Sequence, residues 1–161
     1  MEEDYHIDLS VRLYEEGSTG IACVSASKKD HCGCVLTSRV KRYIEKNLFI
    51  GKERQEYAKL YAICISYIIK DKMSKVRRLI ICNDEEFLYV KEYLLALANP
   101  SFEVINISEF QNSLGRRVKS LADNMAESYR KRGLKPWRKG KSLNTINISY
   151  AMIKEAWEKL R

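Results

Sequence analysis

"VRRLIICNDEEFLYVKEYLLALANPSFEVINI", residues 76–107, decides the fold class. Its first part holds an unbroken apolar run, Leu79 to Cys82, the pattern of a strand buried on both faces as in a parallel sheet. "DEEFLYVKEYLLALA" (84–98) then predicts a helix whose acidic first turn suits the macrodipole. "NPS" breaks that helix, and "FEVINI" (102–107) predicts another strand. Strand, helix and strand in this order form a crossover between parallel neighbours.

Reading outward from this unit, "GKERQEYAKLYAICISYIIKDK" (51–72) keeps helical time, with Tyr57, Leu60, Tyr61, Cys64, Ile65 and Ile68 at steps of three and four. Glu56 stands beside the start of that stripe, either as a solvated rim residue or as a carboxylate aimed at a site. Further upstream, "YHIDLSVRLY" alternates, placing Tyr5, Ile7, Leu9, Val11 and Leu13 on one face and His6, Asp8, Ser10 and Arg12 on the other. "EEGS" is a turn, "TGIACVSAS" a second strand, "KKDH" another turn and "CGCVLTSRV" a third strand, which together make an antiparallel meander. A polar stretch at 47–51 leads into the 51–72 helix. Downstream, "LGRRVKSLADNMAESYRKRG" (114–133) predicts a helix ending at Gly133, and a basic linker with Pro136 reaches an amphipathic helix from Leu143 to Leu160. The expected fold is therefore α/β: a five-stranded mixed sheet, built from a three-strand antiparallel meander plus two parallel strands, flanked by helices. The fourth strand lies beside the first. Residues 1–133 form the domain, and 134–161 supply a basic linker and an extra C-terminal helix packed on it.

Composition narrows the setting. The 161 residues suit one domain with a sizeable core, and an apolar fraction of 45% with ten tyrosines argues against disorder. No run approaches the roughly 18 apolar residues of a membrane helix, and "MEEDYHIDL" lacks the basic and apolar regions of a signal peptide. Five cysteines, at 23, 32, 34, 64 and 82, fit a reducing compartment, so a cytoplasmic protein is expected, with no membrane partner. "HCGC" (31–34) has no second ligand pair to complete a zinc site and reads as a hairpin turn with free thiols.

The net charge is +8 and the sequence pI about 9.2, unevenly spread. "SRVKRYIEK" (38–46), "KDKMSKVRR" (70–78), "GRRVK" (115–119) and "YRKRGLKPWRKGK" (129–141) are basic; "MEED" and "NDEEF" are acidic. In the 129–141 run Trp137 offers a stacking plane among phosphate-seeking cations. Arg116, Arg117, Arg130, Lys131, Arg132, Lys135, Trp137, Arg138 and Lys139 are the candidate nucleic-acid contacts.

Carboxylates sit at informative places on this frame: Asp8 in the first strand, Glu56 on the helix feeding the fourth, Asp84 at that strand's carboxyl end and Asp123 on the later helix. Open sheets place sites beyond the carboxyl ends of their strands. This order resembles the ribonuclease H family. "ERQEYAKLYA" resembles the family's N-x-x-E-L-x-A-x-x-x-A helix with Glu56 on its glutamate. "IICNDEEFLYV" resembles the strand end S/T-D-S with Asp84 on its aspartate, and "LADNMAE" resembles A-D-x-L-A with Asp123 on the last aspartate. In the first strand "IDLSVRL" keeps the aspartate, Asp8, without the D-G-S pattern. The resemblance covers about residues 5–133. The family's loop histidine has no counterpart between Glu109 and Lys119, and its basic protrusion is absent.

The resemblance implies a divalent-metal-dependent endonuclease that hydrolyses the RNA strand of RNA–DNA hybrids. Asp8, Glu56, Asp84 and Asp123 would hold two Mg²⁺ or Mn²⁺ ions about 4 Å apart, Asp8 bridging, Glu56 and Asp84 on one ion and Asp123 on the other. A related DNA nuclease such as a junction resolvase, acting on structured DNA, is the neighbouring reading. A catalytically silent nucleic-acid-binding module with the same fold is the reading from another class. No GxGxxG or GxxxxGK[ST] loop supports a nucleotide-binding α/β protein.

Overall fold

The structure, a computed structural model, describes residues 2–51, 53–82, 85–134 and 143–161. Five strands form one mixed sheet: β1 (Glu3–Ser10), β2 (Thr19–Ser25), β3 (His31–Leu36), β4 (Val76–Ile81) and β5 (Glu103–Asn106). Their order is β3-β2-β1-β4-β5. The first three strands pair antiparallel as a meander, while β1 with β4 and β4 with β5 pair parallel. The mixed sheet and the β1–β4 adjacency are those the sequence predicts.

Six helices accompany it: α1 (Ser38–Asn47), α2 (Arg54–Ile69), α3 (Phe87–Ala98), α4 (Ile107–Leu114), α5 (Asp123–Arg132) and α6 (Tyr150–Lys159). Period-2 alternation sorts each strand between two layers. Tyr5, Ile7 and Leu9 of β1 join Ile21, Cys23, Cys32 and Cys34 in the main core with α2, Val90 and Leu94 of α3, and Ile153 and Trp157 of α6. On the opposite face Ala22 and Val24 pack against Ala122, Ala126 and Tyr129. Gly20 belongs to this second layer, where a Cβ would collide with the Ala126 carbonyl and the Arg130 amide, so α5 lies directly on the β2 backbone.

Several boundaries differ from the sequence reading. The third strand stops at Leu36 instead of running through Val40, because Thr37 caps a helix: its Oγ1 accepts the Val40 N–H at 3.3 Å. Val40, Ile44 and Leu48 then turn inward at four-residue spacing. The first strand ends at Ser10, where Val11 takes φ +66°, although Leu13 is still buried. α3 starts at Phe87, leaving Glu85 and Glu86 before the helix and no acidic first turn.

The helix expected over 114–133 is confined to Asp123–Arg132: residues 115–122 are not helical, and α4 precedes them where no helix was expected. Asn106 caps α4 by accepting the Glu109 N–H at 2.8 Å, and Gly115 ends it at φ +66°. The chain re-enters a helix only at Asp123. The last helix begins at Tyr150 rather than Leu143, capped by Ser149, whose hydroxyl accepts the Met152 N–H. Before it, residues 144–146 run beside β3, with Ile146 N–H on the Gly33 carbonyl at 2.7 Å and Gly33 N–H on the Asn144 carbonyl at 3.2 Å. "HCGC" is part of β3 rather than a turn, and Cys32 and Cys34 are core thiols. Among the described residues no helix is long and apolar enough to cross a membrane.

Candidate functional site

Parallel pairing brings the carboxyl ends of β1 and β4 together, and that edge collects the groups with chemical potential. Cys82 N–H, just past β4, donates to the Ile7 carbonyl at 3.1 Å, which puts the exit of β4 beside Asp8. Glu85, buried to 3% exposure, accepts the Leu13 N–H at 3.3 Å through Oε1. The chain on either side of positions 83 and 84 is thus tied to β1 and the turn that follows it. Asp84 itself lies outside the described residues.

Asp8 sits on the α5 face of β1, opposite Ala22 of β2, and is 6% exposed. Its Oδ1 accepts the Leu9 N–H at 2.8 Å. Glu56 occupies the first turn of α2 on the other side of the sheet; its Oε2 accepts the Ile50 N–H at 3.3 Å and fixes the loop entering α2. Asp123 opens α5, where a carboxylate suits the helix dipole, and pairs with Lys119 at 3.0 Å. So β1, α2 and α5 carry their predicted carboxylates, but each has a local partner. Carboxylate oxygens match Mg²⁺ or Mn²⁺ in kind. Among the described residues, which do not include Asp84, no three His, Cys, Asp or Glu side chains come together to hold an ion.

The turn after β1 is fixed by a residue the sequence reading passed over. Lys41 of α1 lies in a basic stretch, yet it is only 4% exposed. Its Nζ donates to the carbonyls of Glu15 and Gly17, both at 2.8 Å, and to Thr19 Oγ1 at 2.9 Å, with the Arg12 carbonyl at 3.4 Å. Burial pushes the Lys41 ammonium below its ordinary pKa, and Glu45, Glu15 and Glu85 oppose that shift. Glu45, one helical turn on, accepts the Tyr57 hydroxyl at 3.0 Å, joining α1 to α2 beside Glu56. Burial, reinforced by Glu45, raises the Tyr57 phenol to about 12. On the same edge the Arg54 guanidinium lies 4.8 Å from the centre of the Tyr14 ring.

The face of β1 beneath α4 and α5 is polar. Asp4 bonds Arg78 at 2.7 Å and Arg77 at 3.1 Å. Burial raises the Asp4 carboxyl, but hydrogen bonds and charge from the two arginines outweigh it and hold the group below the usual carboxylate range. His6 packs edge-on to Phe110 at 5.4 Å, with Nδ1 buried and without a partner. Desolvation lowers its pKa, Asp4 opposing and Arg78 assisting. Arg130 reaches from α5 to the end of this row, its Nε donating to Ser10 Oγ at 3.1 Å.

The predicted nucleic-acid contacts divide. Lys135, Trp137, Arg138 and Lys139 lie outside the described residues. Arg116 and Arg117 are exposed on the loop between α4 and α5, and Arg132 is half-exposed at the end of α5. Arg130 and Lys131 share Glu127, at 3.7 and 3.1 Å, so part of their charge is neutralised within α5. No family model matches the chain, and neither does any curated protein or solved structure.

Proposed function

We propose that the protein is a divalent-metal-dependent endonuclease acting on the RNA strand of RNA–DNA hybrids. The observation that carries this reading is the anchoring on both sides of positions 83 and 84, with Cys82 on the Ile7 carbonyl and Glu85 on the Leu13 amide. It stands in a sheet of order β3-β2-β1-β4-β5 whose first strand, first crossover helix and α5 carry Asp8, Glu56 and Asp123. Asp8, Glu56, Asp84 and Asp123 would hold Mg²⁺ or Mn²⁺, which when bound supplies a Lewis acid and an acidified water. The protein's own part is positioning. Leu9 N–H orients Asp8, Lys41 locks the turn after β1, and Arg130 pins α5 to Ser10. Five free, buried cysteines accord with a cytoplasmic setting.

The test is incubation of labelled hybrid, duplex DNA and a four-way junction with the protein in Mg²⁺, in Mn²⁺ and in chelator. Metal-dependent cleavage of the hybrid, lost by about a thousandfold in Asp8→Asn and Asp84→Asn, is expected. Cleavage of the junction alone would move the substrate to structured DNA. A second reading, a nucleic-acid-binding module without hydrolysis, is favoured by the pairing of Asp123 with Lys119. Hybrid binding with no turnover in either metal is its signature.

A further inference from the structure

The strongest feature outside the carboxylate edge is the outer face of α1. Its inward residues, Lys41, Ile44 and the following Leu48, are buried, while Arg39, Arg42, Tyr43 and Lys46 are exposed. Those four fall at i, i+3, i+4 and i+7, one continuous stripe along a helix. Glu45, the one acidic residue in α1, is turned away to the Tyr57 hydroxyl. Arg39, Arg42 and Lys46 have no carboxylate partner among the described residues, unlike Lys119, Arg130 and Lys131. Tyr43 is 53% exposed and steadied edge-on by Tyr150 of α6, ring centres 4.7 Å apart.

This charge arrangement works against the helix. Arg39 sits in the first turn, at the positive end of the macrodipole, with no acidic residue beside it. Arg42 lies one turn from both Arg39 and Lys46, and like charges at that spacing repel. An external polyanion would relieve both conflicts.

The place of α1 supplies the second half of the argument. β3 runs parallel in direction to β1, and Leu36 stands opposite Thr19 as Ser10 stands opposite Gly20. α1 therefore begins at the same sheet edge that carries Asp8. Lys41 clamps it to the turn after β1, and Glu45 ties it to α2 next to Glu56. The stripe is held in fixed relation to the carboxylate edge.

We propose that α1 is a docking helix for the sugar–phosphate backbone of a nucleic-acid duplex. Arg39, Arg42 and Lys46 neutralise successive phosphates of one strand, and Tyr43 packs on the adjoining sugar. Along the helix axis Arg39 and Arg42 lie about 4.5 Å apart and Arg42 and Lys46 about 6 Å apart, separations that their long side chains can match to successive phosphates of one strand. The assignment of the duplex to a hybrid rests on the nuclease reading; the docking itself does not.

The experiment measures binding separately from cleavage. A fluorescent RNA–DNA duplex is titrated with wild type and with the triple variant R39Q/R42Q/K46Q in chelator, over a series of salt concentrations. Circular dichroism and melting curves accompany each protein. The expected result is a salt-dependence slope smaller by about 2 to 3 units and roughly tenfold or greater loss of affinity. R39K/R42K, which keeps the charge, should retain the wild-type slope. A folded triple variant with wild-type affinity and slope overturns the proposal, whether or not the wild type cuts hybrids. Loss of binding to phosphatidylserine vesicles, with duplex binding unchanged, overturns it equally and makes the stripe a lipid contact. Wild type that binds through α1 but hydrolyses nothing supports the docking helix and removes the nuclease reading instead.

Discussion

The two faces of β1 are equally sealed and chemically opposite. Tyr5, Ile7 and Leu9 are 1, 0 and 6% exposed; Asp4, His6 and Asp8, between them in sequence, are 6, 3 and 6% exposed. Burial is therefore not what separates the faces. Toward α2 the strand offers only apolar surface apart from the Tyr5 hydroxyl, which finds Asp30 at 2.6 Å. Toward α4 and α5 the side chains are polar: among the described residues Arg77 and Arg78 hold Asp4, the Leu9 amide bonds Asp8, and Arg130 reaches Ser10. Apolar burial stabilises a fold at about 25 cal/mol per Å², whereas buried ionic groups return little beyond their own desolvation. One face of β1 holds the sheet together; the other fixes where charges stand.

Truncating the apolar face should have the largest effect on stability. Ile7→Ala opens a cavity at a position with no solvent exposure and should cost about 2–5 kcal/mol, read from urea unfolding. Asp8→Asn, one residue along on the other face, keeps size and an oxygen for the Leu9 N–H and should change stability by about 1 kcal/mol or less. Equal losses in the two variants would erase the distinction between the faces.

Gly20→Ala attacks the polar side through its packing. The added methyl meets the Ala126 carbonyl and the Arg130 amide, backbone atoms with little freedom to yield. About 1–3 kcal/mol of destabilisation is expected. Amide hydrogen exchange should quicken in α5 and leave α2 near its wild-type protection. A loss spread evenly over both helices would mean that the two layers unfold as one unit.

Asp4→Ala comes next. It leaves Arg78, whose side chain is 27% exposed, without its carboxylate. About 1–2 kcal/mol is expected at neutral pH, between the values for a surface pair and a buried one. Asp4 is held below the ordinary aspartate value of 3.8, so its contribution is complete above that pH and fades as pH falls through the folded value. The wild-type and Asp4→Ala stability curves should converge in strong acid. Parallel curves down to pH 2 would show that the arginine pair contributes nothing.

What the sequence disclosed follows the same division. The strands and α2 were legible because their apolar periods match their burial, down to the run Leu79–Ile81. α1 and α4 escaped because each begins directly after a strand, on one capping side chain, Thr37 or Asn106. Helical propensity across 114–122 concealed the left-handed Gly115, which ends α4. At the site, the elements carrying Asp8, Glu56 and Asp123 were foreseen. Their hydrogen-bond partners were not, because the Ile50 amide and Lys119 meet them only through turn geometry. Lys41 reads as one more solvated cation until α1 is recognised as a helix, which turns position 41 inward and 39, 42 and 46 outward.

The smallest effect concerns His6, and its sign distinguishes a tolerated buried histidine from a stabilising one. Its ring lies against Phe110, Nδ1 has no partner, and desolvation lowers its pKa below 6.5 despite Asp4 nearby. The native state therefore prefers the neutral ring. Between the folded pKa and about 6.5 the unfolded chain binds more protons than the native one, so stability rises with pH across that window. One such group contributes at most about 1.4 kcal/mol per pH unit. Above the window the dependence vanishes, because both states are neutral there. His6→Phe replaces an unsatisfied nitrogen by carbon in a ring one atom larger, and at pH 8 the gain from the lost polar atom and the cost of the added volume should leave its stability within about 1 kcal/mol of wild type. As pH drops from 7 toward 5, wild type should lose stability faster than the variant. The measurement is urea unfolding of both proteins at half-unit pH steps from 8 to 5. Were wild type instead to gain on His6→Phe as pH falls, His6 would be charged in the fold, paired with Asp4 and not shielded by Phe110.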